Sequence, residues 1–79
     1  MNYVFHVLIE KTSGSWKARC PALEYHGAVS GGETKEEALT HIQSVLLLIL
    51  FDMEQKGMEI PKDEIRPNGI PIAVDTAAE

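Results

Sequence analysis

Three histidines, one cysteine and several adjacent carboxylates are the residues of this 79-residue chain whose types could do chemistry. His6, His26 and His41 stand isolated from one another. A helical zinc face needs two histidines four residues apart, and the near helical neighbours of His41 are Thr34, Glu37 and Ser44 instead. His6 and His26 could meet across strands, but a meander brings many such pairs together, so no metal site is expected. Cys20 with His26 could form a thiol–imidazole pair. However, Cys20 shares strand parity with Trp16 and Ala18, which turns it toward the core, where cysteine acts as a small hydrophobe. Ser13, Ser15 and Ser30 have no attached base or orienting acid. Glu36-Glu37 and Asp63-Glu64 suit the positive ends of helical turns and read as solvated faces. Gly31-Gly32 is not followed by the lysine of a phosphate loop, and both glycines are expected to serve a strand-to-helix turn. The lone cysteine excludes an internal disulfide and a CxxC metal site. No catalytic residue, metal ligand or cofactor is assigned, and the chain is not expected to be an enzyme.

The element that must organise the rest is one long helix, predicted over residues 34–57. Thr34 is a good N-cap, and Glu37 three residues on completes a capping box. Gly57 suits the C′ position, and Pro61 forbids easy continuation. Ala38, Ile42, Val45, Ile49 and Met53 recur at helical spacing as the core stripe, with Leu39, Leu46 and Leu50 on its flank. The run Val45 to Phe51 is apolar on every side. At about 100° per residue, Leu47, Leu48 and Phe51 fall opposite the stripe, beside Thr40 and Ser44. A helix apolar all round is normally buried all round, so either the tail folds back over this second patch or it is a subunit or partner interface.

Around that helix the chain reads as one domain. Tyr3 to Glu10 alternates as a strand, with Tyr3, Phe5, Val7 and Ile9 as its core face. After a turn at residues 11–15, Trp16 to Cys20 returns, burying Trp16, Ala18 and Cys20 and exposing Lys17 and Arg19. Pro21 ends that strand. A connection through Leu23 and Tyr25 leads to a weak third strand at residues 27–30. Beyond the helix, Pro61 could start a helical turn through Ile65, Pro67-Asn68-Gly69 marks a turn, and Ile70 to Val74 is a candidate last strand that Pro71 confines to an edge. The expected fold is α+β (βββαβ), a three-stranded antiparallel sheet with one long helix packed on it and a short final strand. Residues 1–75 form the domain, and 76–79 are expected to fray.

Composition narrows the partners. Hydrophobic residues make up 44% and the net charge is −5, which repels phosphate backbones and attracts a basic partner. No direct nucleic-acid binding is expected. The deficit lies in the second half, where Lys56, Lys62 and Arg66 face Asp52, Glu54, Glu59, Asp63, Glu64, Asp75 and Glu79. The seven-residue apolar run is too short to span a bilayer, and no signal peptide is visible. A reducing, cytoplasmic setting is expected. A chain of this size has a thin core, which favours stabilisation by association.

The order of these residues resembles the HicB-type antitoxin family. The family carries a stretch G-x-x-x-A-x-C-P-E-L-P-G-C, approached here by Trp16-Lys17-Ala18-Arg19-Cys20-Pro21-Ala22-Leu23. It follows with S-x-G-x-T-x-E-E-A-L-x-x-I, matched by Ser30-Gly31-Gly32-Glu33-Thr34-Lys35-Glu36-Glu37-Ala38-Leu39-Thr40-His41-Ile42. The chain departs at Glu24-Tyr25-His26, where the family has a single proline before Gly27. The resemblance covers most of residues 3–57. It implies a partial ribonuclease-H-like fold without the nuclease's acidic metal cluster, and a non-catalytic protein that neutralises a small basic RNA-cleaving toxin, HicA. Many members carry a further carboxy-terminal DNA-binding domain, for which these 79 residues leave no room, so operator binding is not carried over.

The expected function is therefore a HicB-like binding module that blocks a small basic toxin. The alternative is a self-associating structural or adaptor domain, a dimer or higher homo-oligomer without a toxin. Leu47, Leu48 and Phe51 are the expected partner or subunit interface under both. A degenerate nuclease would need clustered acids on the inner strand face, where Tyr3, Phe5 and Val7 stand instead.

Overall fold

The computed structural model describes residues 2–78. The chain runs β1 (Asn2–Thr12), β2 (Ser15–Arg19), a 3-10 helix (Pro21–His26), β3 (Val29–Gly32), α1 (Lys35–Gln55), β4 (Ile70–Asp75) and a 3-10 turn (Thr76–Ala78). The strands make one antiparallel sheet in the order β3-β2-β1-β4. The α+β class holds, but the sheet has four strands, not three. The last strand pairs with β1 over six residues, from Asn2 opposite Asp75 to Val7 opposite Ile70. Pro71 does not prevent this. It stands opposite His6, whose backbone N–H goes to Asp63 on the other side of β1, so this is a non-hydrogen-bonded pair and the missing proline N–H faces away from the ladder.

β1 is shared between two partners. Its first half pairs with β4 and its second half, Leu8 to Thr12, with β2. Its alternation is as expected: Phe5 and Val7 are buried, Tyr3 and Ile9 half-buried, Val4 and Glu10 exposed. The Ser13–Gly14 turn closes the hairpin, with Gly14 at φ 80°. In β2, Ala18 is buried, Trp16 is half-buried and Lys17 and Arg19 are exposed, as the parity requires. The connection at Pro21 is a 3-10 helix anchored by the fully buried Leu23. The third strand begins later than the composition suggests and includes both Gly31 and Gly32, which are not a turn. Neither has a positive φ. A Cβ on Gly31 would lie 2.9 Å from the Trp16 carbonyl oxygen, and one on Gly32 would lie 2.6 Å from Glu37 Cβ and 2.9 Å from Ala38 N. These glycines permit close backbone approach, of β3 to β2 and of the helix start to β3.

α1 begins as its sequence dictates. The Glu37 N–H donates to Thr34 Oγ1 at 3.1 Å, and the Glu37 carboxylate accepts from the Glu33 N–H at 3.3 Å. The return bond thus reaches one residue further back than the capping box predicts. At the other end Gly57 takes φ 68°, with Met58 N–H donating to Met53 O and Gly57 N–H to Glu54 O, a Schellman motif. The core stripe is rotated from expectation. Ala38, Ile42, Leu46, Leu50 and Met53 are buried, whereas Val45 and Ile49 are half-buried. The helix starts against β3 at Gly32, and near its end Glu54 reaches Tyr3 of β1 and Thr76 beyond β4. That diagonal course turns the Leu46–Leu50 row inward.

The segment after Gly57 forms no helical turn at Lys62–Ile65. Its acid has another task. β2 stops at Arg19, so β1 before Leu8 has no strand on that side. Asp63 fills the place: Oδ1 accepts from the His6 backbone N–H at 2.8 Å and Oδ2 lies 2.5 Å from His6 Nδ1. This covers the outer side of the sheet at His6. Asp63→Ala leaves a half-buried N–H unpaired, and a urea titration should show a loss of about 1–3 kcal/mol. The end of the chain also differs from expectation. Thr76 is buried, and its hydroxyl joins the Glu54 carboxylate. Glu79 lies outside the described residues.

Candidate interaction surface

The three residues singled out on the second helix face have separate fates. Leu48 is 66% exposed and Phe51 38% exposed. Leu47 is half-buried and packs against the edge of the core. The rotation of the stripe explains the difference, because turning Leu46 inward brings Leu47 to the flank that meets β4. Leu48 and Phe51 keep this exposure with the described part of the tail in place. Thr76 goes to Glu54 on the side of Tyr3.

Beside Leu47 runs a groove of about 350 Å³ between α1 and β4, lined by Gln43, Ser44, Leu47, Ala73, Val74 and Asp75. Its charge is low, with Asp75 the one ionisable member. Parity sets its floor. Pro71, Ala73 and Asp75 share the side of β4 that faces away from β1. Gln43 Nε2 donates to the outward Ala73 carbonyl at 2.9 Å. The other edge of the sheet has a matching clasp, where His41 Nδ1–H donates to the Gly31 carbonyl at 2.6 Å and so carries its proton on Nδ1. Two helix residues on opposite flanks thus each hold one carbonyl of an outer strand. Only the Leu47–Leu48–Phe51 part of this surface was marked by hydrophobic spacing. Ala73 and Asp75 were missed, although Pro71 offered a signal: a strand proline marks the open side, and residues two and four further on share it.

Apart from Asp75, no acid lines this groove. Ten of the chain's twelve acidic residues but only four of its seven basic ones follow Gly32. Glu33, Glu36 and Glu37 are exposed at the helix start, and Asp52, Glu59 and Glu64 are exposed at and beyond its end. Lys56 pairs with Asp52 at 3.1 Å and Arg66 with Glu64 at 2.8 Å. On the outer face of the sheet, Leu8 and Val29 form a shallow floor between Lys17, Arg19, Glu10 and Glu24, a balanced set in which Arg19 is held by Glu24 at 3.2 Å. Tyr25, on the departure from the family pattern, is fully exposed.

The groups considered for catalysis differ in exposure or are held by other partners. Cys20 is fully buried, and burial pushes its thiol above the ordinary range, while His26 is exposed. His6 is bound to Asp63 and His41 to Gly31. Among the described residues no three His, Cys, Asp or Glu side chains gather as a metal site, and no helix is long and apolar enough to cross a membrane.

One titratable pair ties β1 to the helix end. Tyr3 Oη donates to Glu54 Oε2 at 2.5 Å. That bond, helped by the Thr76 hydroxyl, holds the Glu54 carboxyl below its ordinary value of 4.5, and the same bond first, then burial, raises the Tyr3 phenol above 10.0. A lowered carboxyl stabilises the fold above its ordinary value and loses that contribution as pH falls through the folded value. The raised phenol acts in reverse and loses its contribution as pH rises past 10.0. Glu54→Gln should therefore flatten the acid limb of a stability–pH profile below 4.5 while leaving the slope at pH 6–8 unchanged.

Compared with family models, with curated proteins and with solved structures, the chain matches none.

Proposed function

We propose that this chain is a HicB-like antitoxin-type binding module, without catalytic activity of its own, that neutralises a small basic RNA-cleaving protein in the cytoplasm. The observation that carries the reading is the run Ser30 to Ile42, which fits the family's motif at each of its specified positions and begins the helix that holds the exposed Leu48 and Phe51. The element order, three meandering strands followed by helix and strand, is compatible with the partial ribonuclease-H-like fold we include in the proposal. The surplus of exposed acids on and after the helix suits a cationic partner, for encounter rate and orientation.

The test begins with the neighbouring reading frames, one of which is expected to encode a basic protein of under about a hundred residues, a single small domain, whose RNA cleavage is then assayed with and without this chain. Equimolar chain is expected to stop cleavage and to co-elute with the toxin. Undiminished cleavage at excess chain, with no complex, overturns the reading. Metal-dependent RNA cleavage by the purified chain alone would overturn its non-catalytic part.

A second reading, self-association, is favoured by one specific observation. Leu48 and Phe51 stay open on the helix flank adjoining the low-charge groove at β4. Both readings hold together if the dimer is the form that meets the toxin.

A further inference from the structure

We propose that a second copy of this chain pairs antiparallel along the open edge of β4, with Leu47, Leu48 and Phe51 of the two helices closing over the joint. This rests on the self-association reading above and names its surface.

The first support is hydrogen bonding. The outward side of β4 offers the N–H groups of Ala73 and Asp75 and the carbonyls of Pro71, Ala73 and Asp75. A two-fold axis near Ala73 and Val74 sets these donors against the same carbonyls of the other copy, so one short edge is its own complement. The missing N–H of Pro71 lies at the end of the pairing and removes no bond from its centre. The Gln43 contact to Ala73 O is no obstacle, since a carbonyl has a second lone pair.

The second support is extent. Leu48 and Phe51 alone make a patch far short of the ~800 Å² per partner that a stable interface needs. The groove at Gln43, Ser44 and Leu47 reaches Ala73, Val74 and Asp75 of the strand edge, which extends the surface from the helix to β4. The opposite edge is a poorer candidate. β3 has four residues, two of them glycine, and His41 clasps it.

The third support is charge. A basic partner would be drawn to clustered exposed acids, such as Glu33, Glu36 and Glu37 at the helix start, whereas the groove lining holds one acid, Asp75. A low-charge edge with apolar helix side chains above it suits a copy of itself. Each Asp75 falls opposite Ala73 or Pro71 of the other copy, not opposite its own equivalent, for an axis at Val74 or Ala73.

Amide hydrogen exchange, measured residue by residue alongside mass in solution, tests the pairing. In the wild type the mass should be twice the 8.7 kDa of one chain. The Ala73 and Asp75 amides should be protected in the dimer and exchange at least tenfold faster on dilution to monomer. Ile72 and Val74, bonded to β1 within each copy, are the internal control and should stay protected throughout. Leu47→Glu should halve the mass and release Ala73 and Asp75. Ala73→Pro, which removes the outward N–H at the centre of the pairing and is compared with wild type for protection of Ile72 and Val74, should do the same if the glutamate variant fails to fold. A dimer whose Ala73 and Asp75 amides exchange freely leaves self-association standing and overturns the β4 pairing. A chain that remains at 8.7 kDa up to high concentration overturns both.

Discussion

Leu46→Ala is expected to lower the unfolding free energy by about 2–5 kcal/mol, the range for removing a fully buried leucine side chain. Leu46 has no exposed surface and sits midway along the inward row between Ile42 and Leu50. A 79-residue domain has a total stability of about 4–12 kcal/mol at the usual value per residue, so this one truncation takes a large share. The cavity opens under the centre of the helix, where neither end of α1 can move in to fill it. A urea unfolding curve should show a lower midpoint with an unchanged slope. Val45→Ala, one residue away and half-buried, should cost clearly less. Equal costs at the two positions would mean that the inward row is misplaced.

Gly32→Val should be comparably severe, by about 3 kcal/mol, for the opposite reason. Here the fault is excess volume against backbone. A Cβ at Gly32 would meet Glu37 Cβ and Ala38 N at separations that side chains do not tolerate. Relief requires the first turn of α1 to lift from β3, which strains the Thr34 cap as well. Loss of helical signal should therefore begin at the amino-terminal end of α1. Gly57→Val is the useful comparison. It meets nothing within 4 Å, and its cost comes only from forcing φ 68° on a branched side chain.

The contrast between these positions shows what could be read in advance. The helix ends were legible because capping is local: Thr34, Glu37 and Gly57 each act within four residues of themselves. The faces of β1 and β2 were legible from the alternation that buries Phe5, Val7 and Ala18, although His6 and Leu8 on the outer face are half-buried like Tyr3 and Ile9. The rotation of the helix was not. Val45 to Phe51 is apolar at every position, so hydrophobic spacing is nearly flat there, and the sheet, not the sequence pattern, chose Leu46 over Val45. Long-range pairing was equally hidden. Pro71 spoke for an edge but not for which strand it would join, and Asp63 reaches His6 across 57 residues to complete a strand that β2 leaves early. For the surface, the open residues Leu48 and Phe51 followed from opposition to the core stripe. Leu47 entered a groove that exists only once β4 is in place.

The helix is thus asked to do two things with one apolar run: to close the core through Leu46 and Leu50, and to present Leu48 and Phe51 to another molecule. The most direct test is the solution mass of Leu48→Glu beside that of the wild type, with thermal unfolding followed on both. The expected result is a wild type of about twice the single-chain mass of 8.7 kDa and a variant at 8.7 kDa that still unfolds cooperatively. A wild type already at 8.7 kDa, or a variant that loses its fold along with its mass, would contradict the separation of the two faces.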